Sequence, residues 1–283
     1  MSLSGKSILV TGGGSGIGAG IAAKLAAEGA AVTVVGRTAQ RLAAAAASIA
    51  EAYPDAPPVR VHVADITDEE QTAGAVAAAA QHGGGLHGTV ACAGGNETIG
   101  PVTQIDTAAW KRTVDLNVNG TMFTVKYAAA ELVRAGGGAI VAISSIAASN
   151  THRWFGAYGV TKSAVDHLVR LAADELGPSG VRVNGIRPGL IRTDLVAPIL
   201  TSAELSADYQ ENTPLGRVGE TSDVADLASF LLGDSSTWIT GQVINVDGGQ
   251  CLRRGPDFAS MLEPIFGADG LRGVVERSGA EGN

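Results

Sequence analysis

The stretch ISSIAASNTHRWFGAYGVTK, residues 143–162, places a serine, a tyrosine and a lysine at 145, 158 and 162. Tyrosine and lysine four apart on a helix share one face, roughly 5–6 Å apart at Cβ. A free phenol titrates near about 10 and is a poor acid–base at neutral pH. A neighbouring ammonium favours the phenolate and brings Tyr158 towards the working range, where it can give or take a proton. Ser145 ends an apolar, strand-like run, so a strand end and a helix face can converge on one carbonyl or alcohol oxygen. Its hydroxyl can hydrogen-bond that oxygen as charge develops. Ser144 points to the other strand face and is read as structural. With four tyrosines and five lysines (6, 24, 111, 126 and 162) in 283 residues, a Tyr-x-x-x-Lys is expected by chance only about 0.07 times, which makes the match informative.

Such a device needs elements to hold it. Apolar runs at 7–11, 31–36, 59–65, 88–93, 139–144, 181–186 and 242–247 alternate with Ala-rich helical stretches. Several are apolar almost throughout, as parallel strands covered on both faces must be. Ile17, Ile21 and Leu25 recur every four residues, and Gly29 follows as a helix stop. The alternation predicts an α/β fold, one doubly wound parallel seven-stranded sheet flanked by helices on both faces. No Pro/Ser-rich linker divides the chain, so residues 1–250 read as one domain. Residues 190–215 form a long connection after the sixth strand, where such sheets bind ligands. Leu190, Leu195, Val196, Ile199 and Leu200 there suit either a lid over an apolar substrate or ordinary amphipathic packing. Residues 251–283 form a Gly-rich extension, expected at a subunit interface.

The loop VTGGGSGIG (10–18) follows the first strand and opens the first helix. Glycines at 12, 16 and 18 let a pyrophosphate approach the helix N-terminus, where N–H groups and the dipole favour negative charge. At the end of the second strand, Gly36 and Arg37 stand where an acidic residue would repel a 2′-phosphate, and Arg41 follows one turn on. Two guanidiniums without a carboxylate favour NADP(H), with NAD the alternative. Asp65, ending the third strand, either holds an adenine amino edge or caps the next helix.

Together TGGGSGIG, NVNG (117–120), ISSIAA, YGVTK and VNGIRPG resemble the short-chain dehydrogenase/reductase family over residues 5 to about 250. The resemblance implies a Rossmann-like sheet and hydride transfer between nicotinamide C4 and a carbonyl or alcohol carbon. It implies that Tyr158 is the general acid in reduction and the base in oxidation, while Ser145 steadies the substrate oxygen. Lys162 would lower the Tyr158 pKa and hold the nicotinamide ribose, and Asn117 would position a water linking Lys162 to solvent. Pro188 and Gly189 would shape the nicotinamide face, with the Ile191 backbone and Thr193 hydroxyl at the carboxamide. The cofactor-binding set thus comprises Gly12, Ser15, Gly16, Ile17, Gly18, Arg37, Asp65, Ala93, Gly94, Tyr158, Lys162, Pro188, Gly189, Ile191 and Thr193. Two positions depart from the pattern. Ala91 and Cys92 replace a frequent Asn-Asn, and Ser15 stands where many NADP-preferring members carry a basic residue. The resemblance also implies a homotetramer on the helices at 107–135 and 156–177.

The remaining totals narrow the partners. A net charge of −8 argues against nucleic acid, and the absence of an 18-residue apolar run argues against a membrane span. The start runs directly into a strand without a signal-peptide pattern, so a cytoplasmic protein is expected. Cys92 reads as a buried free thiol, and five histidines without Cys or acidic grouping predict no catalytic metal. His152, Arg153, Trp154 and Phe155 suit a pocket wall or a subunit-facing loop equally. The expected function is an oxidoreductase acting on a mostly apolar carbonyl or secondary alcohol. The alternative is a dinucleotide-binding redox sensor or assembly protein with little turnover.

Overall fold

A computed structural model describes residues 2–253 and 257–274. Seven strands, β1 (Ser7–Thr11), β2 (Ala31–Gly36), β3 (Arg60–Val63), β4 (Gly88–Ala91), β5 (Gly138–Ile143), β6 (Val181–Pro188) and β7 (Val243–Val246), join one sheet. Their order is β3-β2-β1-β4-β5-β6-β7, and every pairing is parallel. The expected fold class is therefore the one observed. After β3 the chain returns to the other side of β1, so the strand order reverses between β1 and β4, and a ligand crevice opens beyond their carboxyl ends.

The apolar strands bury both faces. Ile8, Val10, Val34 and Val141 point into one core, with α1 (Gly16–Ala27), α2 (Ala39–Ala52) and α9 (Thr221–Leu232) over them. Leu9, Val35, Ile140 and Ala142 point into the other, covered by α3 (Glu69–His82), α5 (Gly120–Arg134) and α6 (Ala157–Leu176). Alternation along each strand gives both layers a core from one continuous apolar run.

Two expectations need correction. The strands at 59–65 and 88–93 end earlier, because residues past Val63 and Ala91 leave the sheet to form the crevice. The helix expected over 107–135 is interrupted. α4 (Thr107–Val114) passes into a π-helical turn at Asp115–Asn119 before α5 begins. Such turns shift side-chain direction locally and concentrate at functional sites. Over residues 257–274 the extension packs against its own chain. Its helix α10 (Ala259–Leu271), kinked at Gly267, meets α8 (Ala203–Glu211), which follows the short α7 (Ala197–Thr201). Residues 254–256 and 275–283 of that extension lie outside the described residues.

Candidate active site

The crevice is stapled by a residue that the sequence reading missed. The Thr11 hydroxyl, at the end of β1, accepts from the Cys92 and Ala93 N–H groups at 3.1 and 3.3 Å and so ties β1 to the turn after β4. Thr11 belongs to the quoted VTGGG stretch, but only the glycines there carried a chemical reason. Gly12 has φ +69, and a Cβ on it would come within 2.9 Å of Ala93 Cα. A Cβ on Gly18 would come within 2.2 Å of the Gly12 carbonyl oxygen. The loop therefore closes against its own helix and against the β4 turn. α1 carries no side-chain cap from Ser15 and no acidic residue in its first turn, so its N–H groups and dipole remain available to an anion.

Arg37 and Arg41 are exposed, and the Arg41 backbone lies against Gly14 of the loop. Neither guanidinium belongs to an ion pair among the described residues. Asp65 does not cap α3. Asp68 does, accepting from Gln71 N–H at 3.0 Å. Asp65 Oδ1 instead accepts from the Thr67 N–H and hydroxyl at 3.0 and 2.8 Å.

On the other side of the crevice, Gly189 donates to the Val246 carbonyl at 3.0 Å, and a Cβ there would come within 2.9 Å of Asp247 Cα. Leu190 and Arg192 pair with Gly219, which turns the Ile191 peptide groups the other way. Thr193 reaches the glycine loop. Its Cγ2 lies 3.2 Å from where a Gly16 Cβ would stand, and its hydroxyl makes no cap bond. Strand ends that are remote in sequence thus close over one crevice.

The Ser–Tyr–Lys group sits at the head of β5 and the first two turns of α6. Ser145 Oγ accepts from Ala147 N–H at 3.1 Å, which fixes its rotamer and leaves its O–H to donate elsewhere. Tyr158 opens α6, and burial pushes its phenol above the ordinary value while the nearby Ser145 hydroxyl pulls it down. Lys162 lies one turn on, with Nζ 5.7 Å from the Tyr158 ring centroid and donating to the Ile143 carbonyl at 2.8 Å. Only 4% of Lys162 is exposed. Burial pulls its ammonium down to about 8, against the nearby Cys92 and Asp166. Asp166, a further turn on, is held by the Arg187 guanidinium at 2.9 and 2.6 Å. Sequence reasoning expects the ammonium to bring the Tyr158 phenol down. In the folded chain burial outweighs the attraction, because the half-buried phenol loses part of its solvation and the ammonium lies a helical turn away.

Asn117 is fully buried within the π-helical turn, and its amide is spent on the protein. Nδ2 donates to the Gly95 carbonyl at 2.8 Å and to Thr161 Oγ at 2.9 Å, and Oδ1 accepts from Gly95 N–H at 2.9 Å. The side chain therefore clamps the loop after β4 to α6. A water beside Lys162 would have to use the Asn117 main chain. Gly94 lies between them, since a Cβ there would come within 3.0 Å of Asn117 Oδ1 and 3.1 Å of Lys162 Nζ. Ser144 Oγ donates to the Lys162 carbonyl at 3.2 Å, on the structural side of the strand.

Cys92 and Cys251 are free. Burial pushes the half-buried Cys92 thiol up to about 12 although Lys162 pulls the other way, so it stays protonated and inert. No grouping of three His, Cys, Asp or Glu suited to a metal occurs among the described residues. No helix among the described residues is long and apolar enough to cross a membrane.

The residues present fit a nicotinamide dinucleotide. The loop brings bare backbone and an uncapped helix end to the crevice mouth, and a buried ammonium stands against the Gly94 backbone within it. A family model described as Enoyl-(Acyl carrier protein) reductase matches residues 12–250. A short-chain type dehydrogenase/reductase from Mycobacterium ulcerans is 64% identical in sequence, with a TM-score of 0.95 over 97% of this chain and 100% of that one. A 7α-hydroxysteroid dehydrogenase solved with NADH and 7-oxo glycochenodeoxycholic acid is 33% identical, with a TM-score of 0.81 over 88% and 95% of the two chains. The cis-4-hydroxycyclohexanecarboxylate dehydrogenase of Sinomonas cyclohexanicum is 36% identical over 65% of this chain and 74% of its own.

Proposed function

The chain belongs to the short-chain dehydrogenase/reductase family, and from that premise we propose that it is an NADP(H)-dependent oxidoreductase that reduces a ring-borne ketone of mostly apolar character. The family's enzymes act on CH–OH and C=O groups with NAD(P)(H). The finer reading rests on one arrangement, a phenol kept protonated by burial between a serine hydroxyl and a buried ammonium. The nicotinamide, when bound, supplies or takes up the hydride at its C4.

The chain's own residues do the rest. Ser145 is the oxygen's first partner, because its lone pair is already committed to Ala147 and its O–H must donate outward. Tyr158, neutral at physiological pH, gives its proton to the same oxygen as charge develops there. The phenolate left behind is stabilised by Lys162. At 5.7 Å from the ring and an effective dielectric of about 20, the attraction is about 3 kcal/mol. The ammonium thus acts on the product of the proton transfer more than on the resting phenol. Asn117 keeps the Gly94–Gly95 backbone against α6 and so fixes where Lys162 sits. NADPH as the cofactor favours reduction as the working direction.

Two guanidiniums at the β2 end, Arg37 and Arg41, exposed and without an ion pair among the described residues, support NADP(H) over NAD(H). Two of the relatives carry names with ring alcohols, a hydroxycyclohexanecarboxylate and a 7α-hydroxysteroid, and the apolar side chains around Tyr158 suit a comparable ring. The subunits assemble as a tetramer in this reading, and the protein works in the cytoplasm. Purified protein is mixed with NADPH and a panel of cyclic and acyclic ketones, and the cofactor absorbance is followed. Turnover that Tyr158→Phe lowers by about 10²–10⁴-fold, with NADPH affinity held within about twofold, is expected. Tight NADPH binding without turnover of any ketone would leave the redox-sensor alternative.

A further inference from the structure

Residues 257–271 of the C-terminal extension contribute to an apolar cluster that no part of the mechanism uses. Phe258, Leu262, Leu205 and Tyr209 are buried together, and Phe155, Trp154, Leu190, Ile199 and Phe266 pack against them. This cluster is separate from both cores of the sheet and reaches Tyr158 through Phe155. The Phe155 ring meets Tyr158 edge-on, with centroids 5.6 Å apart. The same ring packs on Phe258, at 5.2 Å and 1% exposed. A residue a hundred positions downstream of the phenol is therefore one ring away from it.

The loop carrying Phe155 is held stiffly. Trp154 has φ +62, the only positive value outside glycine among the described residues, and such strain persists only where surroundings over-determine it. Gly156, at φ +57, packs so closely on Thr98 that a Cβ would come within 2.3 Å of its hydroxyl oxygen. The Thr98 hydroxyl accepts from Ala157 N–H at 2.8 Å, and Gly100 donates to the Trp154 carbonyl at 2.8 Å. α10 packs on the segment after β4 that pairs with this loop. Phe266 lies over Gly100, where a Cβ would come within 2.7 Å of its ring, and Gln104 Nε2 donates to the Gly270 carbonyl at 3.4 Å.

We infer that residues 257–271 form a specificity lid over the chain's own active site, in which Phe258 is a positioning residue that sets Phe155 against Tyr158 and thereby limits the size of the ring ketone accepted. This rests on the oxidoreductase reading above. A tail that served stability alone could pack on any surface. Here its innermost side chain backs the ring that touches the phenol, with α8 of the 190–215 connection as the second wall. Removing the Phe258 ring lets Phe155 fall back and deepens the pocket on the substrate side.

Full-length wild type and Phe258→Ala are compared on NADPH-dependent reduction of cyclohexanone and 1-decalone, with NADPH affinity followed by cofactor fluorescence. The variant is expected to raise the decalone-to-cyclohexanone ratio of kcat/KM by about tenfold or more, with NADPH affinity within about twofold. A folded variant with an unchanged ratio overturns the inference. Should Phe258→Ala fail to fold, Phe258→Leu keeps the burial and is expected to shift the ratio the same way by less, and no shift overturns it equally. Hydrogen exchange on wild type supplies a readout without mutation. Adding cyclohexanone to the NADP⁺ complex, which cannot turn over, is expected to slow exchange in 152–156 and 257–271 together, and protection confined to 152–156 overturns the lid. Wild type that oxidises NADPH with no ketone removes the oxidoreductase reading, and this inference with it. Wild-type turnover with an unchanged ratio removes this inference alone.

Discussion

Replacing Lys162 by methionine should make the protein more stable while it abolishes activity. The lysine is 4% exposed, and burial draws its ammonium from 10.5 to about 8. At about 1.4 kcal/mol for each tenfold change in proton affinity, holding that charge inside the fold costs roughly 3 kcal/mol at pH 7. The substitution also removes the 2.8 Å bond from Nζ to the Ile143 carbonyl, a loss of about 1 kcal/mol or somewhat more. The net gain is about 1–2 kcal/mol, a rise in Tm of roughly 2–8 °C for a domain of this size.

The sign with pH follows from linkage. The unfolded chain binds the proton up to about 10.5, whereas the folded chain releases it near 8. Wild type therefore gains stability from this site as pH rises between those values, and the methionine variant does not. Thermal unfolding without added cofactor, at pH 7.0 and pH 9.5, should show the gap between the two proteins shrinking by about 2 kcal/mol. Other lysines and tyrosines titrate alike in both proteins and cancel in the difference. A variant that melts below wild type at pH 7, or a gap of the same size at both pH values, would refute the reasoning. Stability sacrificed at one buried charge is the expected mark of a functional group.

Asn117→Ala should act in the opposite direction. Its amide satisfies both peptide groups of Gly95 and meets Thr161, so truncation strands buried polar atoms and should lower stability by about 2–3 kcal/mol in denaturant unfolding, with kcat falling as well. An unchanged midpoint would mean that the clamp carries no weight. Arg37→Asp should invert cofactor preference, lowering kcat/KM with NADPH and raising it with NADH. An unchanged NADPH-to-NADH ratio would remove the 2′-phosphate assignment.

The sheet was legible because its signal is local. Each strand is a short apolar run and each helix an Ala-rich repeat, and right-handed crossover leaves few ways to assemble them. The first residues to chemistry were legible for a different reason. Tyr158 and Lys162 share a helix turn, so spacing alone puts them side by side. Residues joined across the fold were harder. Nothing near Thr11 in sequence shows that its hydroxyl will meet Cys92 and Ala93, because that meeting depends on β1 and β4 being neighbours. The π-helical turn at 115–119 was hidden for the same reason, since the partner that selects it, Gly95, lies beyond a different strand.

The expectation that Lys162 lowers the Tyr158 pKa shows where sequence spacing stops. Spacing gives the distance between two groups, and hence the sign of their attraction. It does not give the solvent around them, and in this fold burial raises the phenol and lowers the ammonium together. Both shifts favour the less charged form, yet at neutral pH they leave a protonated phenol beside a largely charged amine. That is the pair a carbonyl reduction needs at its start: an acid with a proton to give, and a cation placed to receive the charge it leaves. The extension follows the same logic. Phe258 looked like one aromatic in a Gly-rich tail, and only packing against Phe155 places it one ring from the Tyr158 phenol. What sequence leaves out in both cases is burial, which shifts the one phenol among four that stands beside Ser145 and Lys162 and sets Phe258 against the Phe155 ring.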